Sequence, residues 1–145
     1  MLNVIAASLL AGFLGTAIMT GSQLIEMRIR NRKASVTPGK AVAKILGIKF
    51  GKFSNKNQHR FSDSIHWIYG TAWGLFMIIY MYVMVSWLQA FTIFYAIIWL
   101  QGVIVMSALK IAPPFWKWKL SDNVAELIHK AVYSVSVTTI FFLLF

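Results

Sequence analysis

The sequence predicts an all-α protein, an antiparallel four-helix transmembrane bundle with a short interfacial helix in its first cytoplasmic loop. Three observations carry that expectation. Hydrophobic residues fill 59% of the 145 positions and charged ones only 12%, against roughly 25% charged in an ordinary soluble domain. The apolar residues gather into runs of about 20, the length that crosses a bilayer as a helix. The Lys and Arg fall almost wholly in two connections between those runs.

The spans read as 2–26, 63–86, 89–109 and 123–145, within one membrane domain covering 1–145. The first lacks the basic start of a signal peptide, and its apolar stretch exceeds the ~7–15 residues of a signal core, so it reads as a retained span. Spans two and three are joined tightly around Ser86–Gln89 and form a helical hairpin. Residues 28–60 hold ten Lys and Arg, residues 110–120 hold Lys110, Lys117 and Lys119, and the opposite side holds none. By the positive-inside rule both basic connections are cytoplasmic and both termini lie outside.

The first basic loop contains a helix signal. Thr37 can cap, Pro38 suits the first position and Gly47 can end the helix. Ala41, Val42, Ile45 and Leu46 lie on one side, Lys40 and Lys44 on another. That suits an interfacial helix on anionic headgroups; a solvated basic loop is the other reading. In the second connection Pro113 and Pro114 stop span three. Trp116, Lys117, Trp118 and Lys119 then interleave aromatic and basic groups as an anchor at the lipid interface does. An aromatic cofactor box is the less favoured reading of the same residues.

The net charge of +10 therefore points to a bilayer with anionic headgroups. Nucleic acid is not expected, because neither a glycine-rich phosphate loop nor an RNA-binding aromatic signature accompanies the charge. The absence of cysteine excludes disulfides, thiolate metal sites and cysteine nucleophiles.

The remaining ionisable residues share one end. Glu26 closes span one, Asp63 and His66 open span two, and Asp122, Glu126 and His129 open span four, with His59 just before span two. Ser62, His66, Gly70 and Gly74 follow at intervals of four, and Gly70-x-x-x-Gly74 permits close helix packing. Glu126, His129, Tyr133 and Ser136 form a second stripe; Thr16, Thr20, Gln23 and Glu26 or Met27 form a third. Span three offers only Gln101 at depth.

Asp63-x-x-His66 and Glu126-x-x-His129 have the carboxylate–imidazole spacing that di-iron bundles use on two helices, with a Glu from each of the others. Glu26 could be one such acid, but span three supplies no second. Glu26, Asp63, His66, Glu126 and His129 are thus the candidate metal ligands, and a nitrogen–oxygen set suits Zn, Fe or Mn. The structural reading stands beside this one. Acids in first turns favour the helix dipole, Ser121 or Asn123 can cap span four, and Glu26–Arg30 and Glu126–Lys130 can pair at i, i+4. A haem between His66 and His129 would need an open slot, which Gly70 and Gly74 argue against.

The motifs also carry a family resemblance. His66-x-x-Tyr69-Gly70-x-x-x-Gly74, with Pro113-Pro114-Phe115-Trp116, Leu120-Ser121-Asp122 and Ala125-Glu126-Leu127-Ile128-His129, is similar to the YagU-like group of small bacterial inner-membrane proteins. Arg32-Lys33-Ala34-Ser35-Val36-Thr37-Pro38-Gly39-Lys40 resembles a loop of related four-span proteins. The Glu–His spacing of that pattern is four, and here it is three. The resemblance implies a bacterial inner-membrane location and no established activity.

No catalytic constellation stands out, so the reading leans away from an enzyme. The expected function is a cytoplasm-facing His/carboxylate pocket that binds a metal or relays protons. The alternatives are an accessory or assembly subunit meeting a partner or a second copy through helix faces, and a membrane di-metal oxidoreductase.

Overall fold

The computed structural model describes residues 3–83 and 86–145. It is all-helical, with no strand among the described residues. The helices are α1 (Val4–Ile29), α2 (Thr37–Ile45), α3 (Asn55–Trp73), α4 (Met77–Val83), α5 (Trp87–Ala108) and α6 (Leu120–Leu144). Of these, α1, α5 and α6 are long and apolar enough to cross a membrane.

The segment expected as span two is not one uniform helix. α3 starts at Asn55, where Ser54 caps it by accepting from the Asn57 N–H at 3.4 Å. Its first turns are polar (NKNQHRFSDS), so the helix extends beyond the apolar run. At Gly74–Phe76 the chain tightens into a 3-10 turn before α4 resumes. Residues 84–85, at the end of that expected span, and residue 2 of the first lie outside the described residues. Beyond them, Ser86 and Gln89 close a capping box on the first turn of α5, which satisfies two backbone donors.

Two caps differ from expectation. Lys119 occupies the N-cap of α6, so Ser121 and Asn123 lie inside the helix. Asn123 instead donates to the Phe115 carbonyl at 3.2 Å, fastening the helix to the turn before it. In α2 the cap is Val36, and the Thr37 N–H donates to Ser35 Oγ at 3.2 Å. Past the end of α2, Gly47 adopts φ +69° and Ile48 N–H returns to Ala43 O at 2.8 Å. A left-handed residue there costs glycine least.

α1 packs against both α3 and α6, and small residues set its distances. On one side Gly12 lies opposite Gly74 and Thr71, Thr16 opposite Gly70, and Thr20 opposite His66. On the other, Gly15 meets Val137 and Tyr133, and Ser22 meets His129. A Cβ on Gly74 would come 2.1 Å from the Ser8 carbonyl oxygen, and one on Gly12 would come 2.4 Å from that of Thr71. These neighbours are backbone and cannot swing away. Lipid tails are as apolar as leucine, so helices in a membrane gain stability mainly from close packing of this kind.

Across the bundle Phe94 of α5 fills the space between the 3-10 turn and α6. Its ring lies 6.1 Å from Phe76 and 5.8 Å from Tyr133. On the basic side, α2 sits on the polar start of α3. The Gly39 N–H donates to Ser62 Oγ at 3.1 Å, and Phe50, Phe53 and Phe61 form a small aromatic cluster there.

Gly74→Ala is expected to destabilise the solubilised protein by roughly 1–3 kcal/mol, the usual scale of overpacking. Gly102→Ala, where a Cβ meets nothing within 4 Å, should leave the thermal midpoint unchanged or raised. Equal midpoints for the two variants would remove the glycine contact as the source of the packing.

Candidate functional site

The polar residues at the basic end of the bundle are organised by the way α1 stops. Its last turn closes through a left-handed residue, Asn31 (φ 48°), and the Arg32 N–H returns to Met27 O at 2.9 Å. That reversal folds Arg32 back over Glu26. Arg32 Nη2 lies 2.6 Å from Glu26 Oε2, and Arg30 Nη1 lies 2.8 Å from Oε1. Asn tolerates the left-handed region better than most residues because its short side chain bonds locally.

Arg30 also reaches the first turn of α6. Its Nη2 is 2.5 Å from Asp122 Oδ1 and 3.2 Å from Ser121 Oγ. One guanidinium thus joins the end of α1 to the start of α6. The Asp122 carboxylate, and behind it Glu26, push the Arg30 guanidinium above its ordinary pKa, against a partial opposing loss of solvation.

Beneath this cluster lies His129, 95% buried by its 5% relative exposure. Its Nδ1 is 3.0 Å from Ser22 Oγ. Its Nε2 is buried, has no hydrogen-bond partner, and faces Glu26 Oε2 at 3.8 Å. Buried polar nitrogens are rarely left unpaired, because each costs the solvation it gave up.

His66 is held elsewhere. Its Nε2 lies 3.2 Å from Thr20 Oγ1, and the Thr20 hydroxyl donates to the Thr16 carbonyl at 2.7 Å. With that hydroxyl proton committed, Nε2 of His66 is the donor. Thr20 and Ser22 are two residues apart, about 200° around a helix. Each histidine is therefore bound to a different side chain of α1, His66 to Thr20 and His129 to Ser22.

The expected ligands separate accordingly. Glu26 and His129 come together; His66 goes with Thr20. Asp63 is exposed, and Glu126 pairs with Lys130 at 3.2 Å. Among the described residues no group of three or more His, Asp or Glu is placed to hold a metal ion. Gly70 and Gly74 stand at the α1–α3 contact. Trp116 is largely exposed in the turn before α6, with Lys117 and Lys119 also exposed.

Four partners of the site escaped the sequence reading: Ser22, Arg30 as a link to α6, Arg32 and Asn31. Ser22 and Glu26 stand seven and eleven residues after Gly15, one helical face, and that spacing was the available signal. Arg32 had none, since its return depends on the backbone turn at Asn31. Deeper in the interior, the Tyr133 hydroxyl donates to the Gly70 carbonyl at 2.5 Å, tying α6 to α3 past α1.

The fold defines a helical membrane protein with a charged cluster at one end and a buried histidine beneath it. No protein-family model, curated protein or solved structure matches this chain.

Tyr133→Phe should destabilise the protein by about 1 kcal/mol, the scale of a hydrogen bond between membrane helices, as measured by denaturing-detergent titration. Wild-type stability in that variant would mean that the α6–α3 bond is not maintained in solution.

Proposed function

We propose that this chain is a proton-handling protein of the bacterial inner membrane, built as an antiparallel four-helix bundle with loops 28–60 and 110–120 in the cytoplasm and both termini outside. α3, the turn at Gly74–Phe76 and α4 together make the second crossing. The pairing of Gly12 with Gly74 and Thr20 with His66, and of Gly15 with Val137 and Arg30 with Asp122, supports opposed neighbours. The similarity to YagU-like proteins belongs to this reading.

The observation that carries the function is the buried, unpartnered Nε2 of His129 facing the Glu26 carboxylate at 3.8 Å. The Ser22 hydroxyl can donate to Nδ1 or accept from it. The ring can therefore hold one proton or two without moving, and Glu26 lies beside the nitrogen that would gain or lose one. Histidine is the side chain whose charge changes between about pH 5 and 8. Metal binding is the weaker chemistry for this pocket, since of the five expected ligands Glu26 and His129 meet, while His66 goes with Thr20, Glu126 with Lys130, and Asp63 is exposed.

A second reading has one observation in its favour. Tyr69, Ala72, Trp73, Leu75, Phe76 and Ile79 line an open groove of about 370 Å³ beside the 3-10 turn. An accessory subunit could receive a helix of its complex there.

The chain has three histidines, so nitrogen NMR of the labelled protein in lipid can follow each one. His129 is expected to change protonation between pH 5 and 8, and Glu26→Gln to move that transition while leaving His59 unaffected. Elemental analysis should find well under one metal per chain. A His129 signal that stays neutral across the range, or is indifferent to Glu26→Gln, would overturn the proposal.

A further inference from the structure

The basic loop holds a surface that the proton site does not use. The inner side of α2 is spent on the protein itself: Gly39, Ala41 and Ala43 are buried, with Gly39 held against Ser62 and the Phe50 ring. The apolar side expected from sequence is therefore divided. Ala41 faces inward, while Ile45 and Leu46 are each 64% exposed, and Ile48 beyond the Gly47 turn is exposed as well.

The position of this tip is fixed. Lys44 Nζ donates to the Leu109 carbonyl at 2.5 Å, and Leu109 is the C-cap of α5. The end of α2 thus lies at the depth where an apolar spanning helix ends. Lys110 follows at once, and Lys40, Lys49 and Lys52 are exposed nearby in the sequence. Residues 28–60 contain no acid.

We infer that the end of α2 is an anionic-phospholipid anchor, in which Ile45, Leu46 and Ile48 enter the acyl boundary of the bilayer while Lys44, Lys49 and Lys52 face headgroup phosphates. Apolar residues flanked by lysines at the interface take both contributions at once, burial and attraction to anionic lipid. The turn holds the tip rigid: Ile48 N–H closes on Ala43 O, so Leu46 and Ile48 flank one tight reversal. An acidic protein surface could meet the lysines, but it would leave a tip at membrane depth with no bilayer role.

The chain has no cysteine, so Leu46→Cys, and separately Ile48→Cys, can each carry a single nitroxide in the full-length protein. Asn57→Cys, on the exposed polar start of α3, is the water-facing reference. In nanodiscs of mixed phosphatidylcholine and phosphatidylglycerol, labels at 46 and 48 should be several-fold less accessible to a nickel chelate than the label at 57, and more accessible to oxygen. The protection should shrink in pure phosphatidylcholine and in Lys49→Gln/Lys52→Gln, which leaves the Lys44–Leu109 bond intact. Chelate accessibility equal to that at 57 in every lipid would overturn the anchor and leave the tip free for a protein partner. Protection that ignores phosphatidylglycerol would overturn the recognition of anionic lipid. Neither result depends on whether His129 titrates.

Discussion

The backbone contact between α1 and the α3 segment, made at Gly12 and Gly74, is the constraint on which the rest of the structure depends. Where no side chain separates two helices, their axes approach closely and their register cannot slide without a clash. That register puts Thr16 on Gly70 and Thr20 on His66. The adjacent side of α1, opened by Gly15, receives Val137 and sets Ser22 on His129. The placement of both histidines is thus a consequence of glycines about one to two turns away. A helix carrying two such sides packs against α3 and α6 at once.

The charged cluster follows from the same arrangement. Because α1 and α6 are in close register, the last turn of one meets the first turn of the other, and Arg30 can hold Glu26 and Asp122 together. These pairs are partly exposed, and such pairs add little stability alone. Their effect is positional. Two arginines engage the outer edge of the Glu26 carboxylate, which leaves His129 facing Oε2 at a distance too long for a hydrogen bond. The buried nitrogen therefore lies beside a carboxylate that already carries two ion pairs.

Much of the fold was legible because its signals are local. Long apolar runs mark α1, α5 and α6, and Thr37, Pro38 and Gly47 bracket α2 closely. The segment expected as span two was legible only as hydropathy: the run hid a polar helical extension before Ser62 and the 3-10 turn after Trp73. The site was half legible. The i, i+4 pairs of Glu26 with Arg30 and Glu126 with Lys130 could be read from spacing, as could the common end shared by acids and histidines. The failure was in the angle between helices. Spacing says that His66 and His129 each face inward, but not that His66 meets Thr20 while His129 meets Ser22 and Glu26. Arg32 was invisible for another reason, since its contact comes from one left-handed residue and not from any helical period.

The break at Gly74–Phe76 between α3 and α4 also bears on how the chain is made. A ribosome delivers α1 long before His66 and the 3-10 turn emerge, and α1 is apolar enough to settle first. The α3 segment arrives carrying an imidazole and a glycine surface that suit hydrocarbon poorly. Thr20 covers the imidazole, and Gly12 covers the groove at Gly74. α1 is complete before that segment is made, so the order of synthesis matches the order in which these surfaces need cover.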